Sequence, residues 1–213
     1  MEAIILYFVL FFPGVYYTGF SGMESIPFSM LTELSRTFVH TVPSLALLWY
    51  LITDKKGFSS PNVIKPRKPD FLSLAAGLPG LLAISLFVSL LAQLLSPYLG
   101  INIPPKIDGP SDILGFIILV FSCIGTGYLE ESYFRFYLLT KLENSVPKTA
   151  IRIALSCLLF SLSHVYEGPW GILNALLAGI LLSLLFIRFR SLHGVAWAHG
   201  AYNMFVYIFM SLV

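Results

Sequence analysis

Residues 113–139 read ILGFIILVFSCIGTGYLEESYFRFYLL, an apolar run whose only charged side chains are Glu130, Glu131 and Arg135. A helix that crosses the hydrocarbon core of a membrane needs about 20 mostly apolar residues. The chain has 213 residues, 57% of them hydrophobic and only 11% charged, whereas soluble domains average about 25% charged residues. The stretch predicts a spanning helix, and the composition predicts an all-α, polytopic bundle that forms one membrane domain, residues 1–213.

Six further apolar segments accompany this one, and Pro13-Gly14 is expected to kink the first. The count becomes eight if the region from Pro27 to Thr53 holds two elements. The seven predicted spans are Ala3 to about Phe20, Phe38 to Thr53, Phe71 to Leu95, Ile113 to about Leu139, Ala150 to about Tyr166, Trp170 to Phe189 and Leu192 to Val213.

The lysines and arginines between these segments predict the orientation. Ten lie in alternate connections, against two, Arg36 and Lys106, on the opposite side. Because cytoplasmic loops are enriched in Lys and Arg, the basic side is expected to be cytoplasmic, with both termini on the other side. A prokaryotic plasma membrane is the expected location. The ten are Lys55, Lys56, Lys65, Arg67, Lys68, Lys141, Lys148, Arg152, Arg188 and Arg190.

Ionisable side chains at membrane depth are costly, so each suggests a functional site. Glu131 and Arg135 are four residues apart, which places them on one helix face in the order that favours an ion pair. Glu130 points about 100° away and has no such partner. It is therefore a candidate general base.

Two later segments each carry a pair of residues with the same four-residue spacing, Phe160 with His164 and His199 with Asn203. Glu130 and Asn203 each lie roughly 16 Å from the basic end of their helices, and His164 lies roughly 21 Å from the basic end of its helix. These depths are compatible with a meeting near the middle of a core about 30 Å thick.

Glu-Glu-x-x-x-Arg, Phe-x-x-x-His and His-x-x-x-Asn in this order resemble the CPBP family. That family comprises the type II CAAX-prenyl proteases and the bacteriocin-processing Abi proteins, and the resemblance covers about residues 113–213. It implies an intramembrane peptidase in which Glu130 and His164 activate water. It also implies that His199 and Asn203 bind the developing oxyanion.

The resemblance further implies that Glu131 with Arg135 holds the helix and that Phe160 shapes the pocket. Residues 113–213 then form the catalytic core, and residues 1–112 supply scaffold helices. No cofactor is expected. Zinc is the alternative, held by Glu130, His164 and His199, because two His and one Glu form a known catalytic zinc set.

Two other functions compete with a peptidase. A non-catalytic scaffold or bacteriocin-immunity protein could keep the fold, but it would not need Glu130, His164, His199 and Asn203 together. A proton-coupled transporter also uses buried ionisable groups, but the inverted repeats and broken helices expected of one are not seen.

The expected partners are membrane lipid and a protein or peptide substrate with a membrane-embedded or lipidated end. No nucleic-acid surface is evident. Cys123 and Cys157 both lie in apolar runs and are expected to be buried thiols without a disulfide.

Overall fold

The structure is a computed structural model that describes residues 2–11, 25–54, 66–103, 105–143 and 145–212. Within these ranges the chain is helical, apart from two short strands and connecting segments, which confirms the predicted all-α fold. The helices are α1 (Glu2–Phe11), α2 (Met30–Ser35), α3 (Val42–Asp54), α4 (Lys68–Leu99), α5 (Ile113–Glu131), α6 (Thr140–Glu143), α7 (Thr149–Leu162), α8 (Gly168–Phe189) and α9 (Leu192–Leu212).

Two π-helical segments make longer continuous helices out of shorter ones. Arg36–Thr41 joins α2 to α3, and Ser132–Leu139 joins α5 to α6. The region from Pro27 to Thr53 therefore contains one continuous helix that begins at Met30, not two separate elements. A two-residue strand β1 (Ser25–Ile26) precedes it and pairs in parallel with β2 (Lys106–Ile107).

Three continuous helices among the described residues are long and apolar enough to cross a membrane: Lys68–Leu99, Ile113–Glu143 and Val165–Phe189. They agree with an integral membrane protein, and the total of seven spans stays a prediction. The predicted kink at Pro13-Gly14, the end of the first segment, and the basic residues Lys55, Lys56 and Lys65 lie outside the described residues.

The expected position of the N-terminus is wrong. Glu2 lies 3.2 Å from the Lys141 ammonium, and the Tyr137 hydroxyl donates to the Glu2 carboxylate at 2.8 Å. The first helix thus starts at the basic end of the bundle. An odd number of spans places the two termini on opposite sides, so only the C-terminus would lie on the side away from the basic loops.

Capping side chains set the starts of the two helices that support the site. The Asp112 carboxylate accepts the backbone N–H of Gly115 at 2.6 Å, so α5 begins at Ile113 as predicted. The Asp70 carboxylate accepts the backbone N–H of Arg67 at the start of α4 and the hydroxyl of Ser191 between α8 and α9, both at 2.5 Å. Asp70 therefore ties α4 to the turn that positions α9.

Small residues bring the backbones of α5 and α9 into contact. A Cβ atom on Gly127 would lie 2.7 Å from the carbonyl oxygen of Ala196, and one on Gly200 would lie 3.0 Å from the carbonyl oxygen of Cys123. Close approach through glycine is a common mode of helix packing in membranes. As a result, Glu130 and Glu131 on α5 face the middle of α9.

The π-helical segment that follows Glu131 is enclosed on all sides. Every residue from Ser132 to Leu139 is buried. From α1, Phe11 packs against Tyr133 and Phe134 with ring centroids 5.1 and 4.7 Å apart. We call this buried segment, Ser132–Leu139, the aromatic floor. It lies between the glutamates and the basic end of the bundle.

Candidate active site

A buried ion pair anchors the site. Arg135 Nη1 donates to Glu131 Oε1 at 2.9 Å, and both side chains are 0% exposed, as the spacing predicts. The guanidinium carbon of Arg135 lies 4.3 Å from the centre of the Phe160 ring. Gly179 makes room for this arrangement, because a Cβ there would lie 3.4 Å from Arg135 Nη2 and 3.2 Å from the Phe160 ring. The cation is held by one carboxylate and one aromatic face.

The same carboxylate oxygen also holds His199. His199 Nδ1 lies 2.8 Å from Glu131 Oε1, which therefore accepts hydrogen bonds from both the arginine and the imidazole. Because an ionised carboxylate can only accept, Nδ1 carries a proton. This leaves Nε2 as the nitrogen that can face a reactant. This contact was not predictable from the sequence, because helical spacing identifies neighbours on one helix and not contacts between two helices.

Glu130 stands apart from this pair, as its angular position predicts. Its side chain is 15% exposed, and its Oε2 atom is buried without a hydrogen-bond partner among the described residues. That oxygen lies 3.6 Å from His199 Nε2, too far for a direct hydrogen bond. One water molecule or one substrate atom can contact both atoms at once.

His164 lies two residues beyond the end of α7, in the turn before α8. Its Nδ1 donates to the Phe160 carbonyl at 2.8 Å, and the Ser163 hydroxyl lies 3.2 Å from the same nitrogen. This hydrogen bond fixes the ring orientation and leaves Nε2 able to accept a proton. The predicted segment from Ala150 to about Tyr166 thus ends earlier as a helix, which places His164 on a turn instead of a helix face.

Phe160 brings the motifs together. Its ring packs edge-on against His164 at 4.7 Å and against His199 at 5.9 Å, and its face meets Arg135. Side chains from the π-helical segment, the turn after α7 and α9 therefore surround one aromatic ring. Phe160 is 2% exposed, and its position fits the predicted part in shaping the pocket.

Asn203 lies one helical turn after His199 on α9 and is half-buried. Within the described part of the chain its side chain makes no hydrogen bond. Its role in the site stays a prediction.

The same ranges contain no group of three or more His, Cys, Asp or Glu side chains that could hold a metal ion. The three residues considered for zinc, Glu130, His164 and His199, are therefore not arranged as a preformed metal site there. Cys123 and Cys157 are buried thiols, as predicted.

Fold and site together define a helical membrane protein with a buried carboxylate–imidazole centre. Residues 112–205 match a family model described as Rce1-like, type II CAAX prenyl endopeptidase. This segment carries every motif residue, and its similarity to that peptidase family confirms the resemblance. The match begins at Asp112, the residue that caps α5. No curated protein and no solved structure matched the chain.

Proposed function

We propose that this protein is an intramembrane endopeptidase that hydrolyses a peptide bond in a membrane-associated or prenylated protein or peptide without a metal. The observation that carries the proposal is Glu130 Oε2, a buried oxygen that has no hydrogen bond to any described residue and lies 3.6 Å from an imidazole nitrogen of His199. Burying a polar group unpaired is destabilising by about 1–3 kcal/mol. A non-catalytic scaffold has no use for an unpaired buried carboxylate oxygen, whereas a hydrolase uses such a group to bind and deprotonate water.

The proposed hydrolysis requires one general base, one general acid and two hydrogen-bond donors for the oxyanion. Glu130, assisted by Nε2 of His164, takes a proton from water as the water oxygen bonds to the scissile carbonyl carbon. The carbonyl oxygen becomes an oxyanion, which accepts hydrogen bonds from His199 Nε2–H and the Asn203 amide. The C–N bond then breaks, and the proton held by Glu130 passes to the leaving amine.

The Glu131–Arg135 pair prepares His199 for this task. To donate from Nε2 while Nδ1 donates to Glu131, the imidazole must be protonated on both nitrogens. The Glu131 carboxylate oxygen accepts from the imidazole, and Arg135 donates to the same oxygen and holds it in place. Glu131 is therefore a positioning residue whose effect on catalysis passes through His199.

The protein is proposed to act as a multi-pass protein of a prokaryotic plasma membrane, with lipid around it and its substrate presented from the membrane. The test is cleavage by the purified protein in lipid vesicles of a peptide that ends in a C-a-a-X sequence with a farnesylated cysteine. Comparative proteomics of cells with wild-type protein or Glu130→Gln identifies other substrates.

Glu130→Gln preserves side-chain size and removes only the base, so turnover should vanish while the melting temperature stays near that of the wild type. Equal turnover by Glu130→Gln and wild type would refute the mechanism.

A further inference from the structure

A cleft lies at the basic end of the bundle, where α6, α7 and the end of α8 meet. The aromatic floor contributes Leu139 to this cleft and α8 contributes Phe186, and both side chains are buried. Arg152 on α7 and Arg190, the residue that follows α8, also line it. The cleft therefore combines an apolar side against the bundle with a cationic side.

A single carboxylate, Glu143 at the end of α6, contacts both arginines. Arg152 Nη1 lies 3.3 Å from Glu143 Oε1, and Arg190 Nη1 and Nη2 both lie 3.3 Å from the same oxygen. Hydrogen bonds between ionised groups are usually shorter, at about 2.7–2.9 Å. Of the described residues that line the cleft, Glu143 is the only acid. Two positive charges thus share one negative charge through long contacts, which leaves the cleft with a net positive charge.

Both guanidinium groups keep donors that these contacts do not use. A guanidinium carries five N–H donors. Arg190 contacts Glu143 through two nitrogens, and Arg152 uses one for Glu143 and donates from Nη2 to Thr149 Oγ1 at 2.8 Å. The Arg152 side chain is only 14% exposed, so water reaches little of its charge. An anion with several oxygen atoms would supply the acceptors that both arginines lack.

Further cations flank the cleft without lining it. Lys148 directly precedes α7, and Arg188 lies two residues before Arg190; both are exposed. Lys141, on the same side of the bundle, pairs with Glu2 at 3.2 Å. The surroundings of the cleft therefore add positive charge, which favours an anionic ligand over a zwitterionic one.

Exposed apolar side chains continue from the cleft along both neighbouring helices. On α7, Leu155 and Leu158 follow Arg152 at intervals of three residues, and both are exposed. On α8, the exposed residues Leu184 and Ile180 precede the cleft by about one and two helical turns. A ligand that fits both regions has an anionic head at the arginines and apolar chains that lie along α7 and α8. A phospholipid has this form.

We propose that this cleft binds the headgroup phosphate of an anionic phospholipid, drawn from the membrane leaflet at the basic end, through Arg152 and Arg190. Arginine suits this task because its planar set of donors matches phosphate oxygens in geometry and charge. Basic pockets between spanning helices are a known form of lipid headgroup site. The cleft contains none of the candidate catalytic residues, so the proposal stands whether or not the protein cleaves a peptide.

The test measures lipid binding to the purified full-length protein in detergent. Dioctanoyl phosphatidylglycerol and dioctanoyl phosphatidylcholine carry the same chains and differ in headgroup charge, and native mass spectrometry reports the binding of each. Wild-type protein should bind phosphatidylglycerol more tightly by about 10-fold or more, and Arg152→Gln and Arg190→Gln should each weaken that binding by about fivefold. Equal binding of the two lipids by wild-type protein would overturn the proposal.

Arg188 provides a matched control. It lies on the same turn as Arg190, its loss changes the net charge by the same amount, and its guanidinium carbon lies 5.7 Å from the centre of the Phe189 ring instead of at Glu143. Arg188→Gln should keep phosphatidylglycerol binding within about twofold of wild type, because screening weakens the effect of an exposed charge. A loss equal to that of Arg190→Gln would indicate diffuse attraction to a basic surface and overturn the site.

Glu143→Gln gives a change of opposite sign. Because the carboxylate competes with the phosphate for the same two arginines, its removal should tighten phosphatidylglycerol binding by about fivefold. Unchanged or weaker binding would overturn the assignment of the arginine pair.

Two further measurements separate a lipid from a soluble anion and a binding defect from misfolding. Glycerophosphoglycerol has the same headgroup without chains, and it and inorganic phosphate should neither raise the melting temperature nor displace the lipid. Equal affinity for glycerophosphoglycerol and for phosphatidylglycerol would refute the lipid assignment. If Arg152→Gln fails to fold, Arg190→Gln carries the test, because that side chain is 61% exposed. A correctly folded Arg190→Gln with wild-type affinity would overturn the proposal.

Discussion

The adjacent glutamates allow the same substitution to be compared in two environments. In Glu131→Gln, Arg135 loses its charged partner while remaining 0% exposed, and removing one member of a buried pair typically costs about 3–5 kcal/mol. The face of the Phe160 ring, whose centre lies 4.3 Å from the Arg135 guanidinium carbon, offsets part of this loss of stability. A loss in the lower half of that range is therefore expected. Glu130→Gln breaks no hydrogen bond among the described residues, because its charged neighbour His199 Nε2 lies 3.6 Å away, and a change below about 0.5 kcal/mol is expected.

Unfolding in detergent and peptide cleavage, measured in parallel, check this prediction. Glu130→Gln should be inactive and stable, and Glu131→Gln should be impaired in both properties. Replacing the pair with Glu131→Leu/Arg135→Met should restore much of the stability, because apolar side chains of similar size often substitute well for a buried ion pair. Activity should stay low in that variant, since His199 has lost its acceptor. Equal stability of the two single variants would refute the reasoning about the ion pair.

Four other outcomes follow from the fold and the site. Cysteines introduced at Ser59 and Asn102 should label from the cytoplasmic and the opposite side respectively, and the reverse pattern would show that the orientation is inverted. Asn203→Ala should lower kcat by about 10²–10³ with little change in substrate binding, as measured by steady-state kinetics and peptide binding. Activity should survive exhaustive chelation, with the metal content of the protein measured by mass spectrometry. Loss of activity on chelation and its recovery with stoichiometric zinc would establish a metalloenzyme. Asp70→Ala should lower the free energy of unfolding in detergent by about 1–3 kcal/mol, because it removes a buried acceptor.

Features set by one helix were predictable from the sequence. The apolar runs located the helices, and the four-residue spacing of Glu131 and Arg135 placed them on one face, where the structure shows their ion pair. The start of α5 at Ile113 followed from the polar stretch before it. Each of these depends on local geometry, which a sequence pattern reports directly.

Contacts between helices were not predictable in the same way. The bond between Glu131 and His199 depends on the approach of α5 to α9, and nothing in either motif fixes that distance. Arg36 was assigned only as a positive charge on the less basic side, whereas the structure places it with Glu33 and Ser122. The π-helical segments were also not predicted, because the wider turn of a π-helix leaves the hydrophobic pattern almost unchanged over a segment of so few residues.

Among the described residues, the aromatic floor separates the candidate site from the basic end of the bundle. With every residue from Ser132 to Leu139 buried and α1 packed beside them, this segment offers no passage towards the basic end. Among the described residues, water, substrate and both products would then enter and leave from the side of Glu130 that faces away from the floor. A product fragment that stays at the site would block the next substrate. When product accumulates in the membrane, the rate of product release would therefore limit turnover more than the rate of bond cleavage.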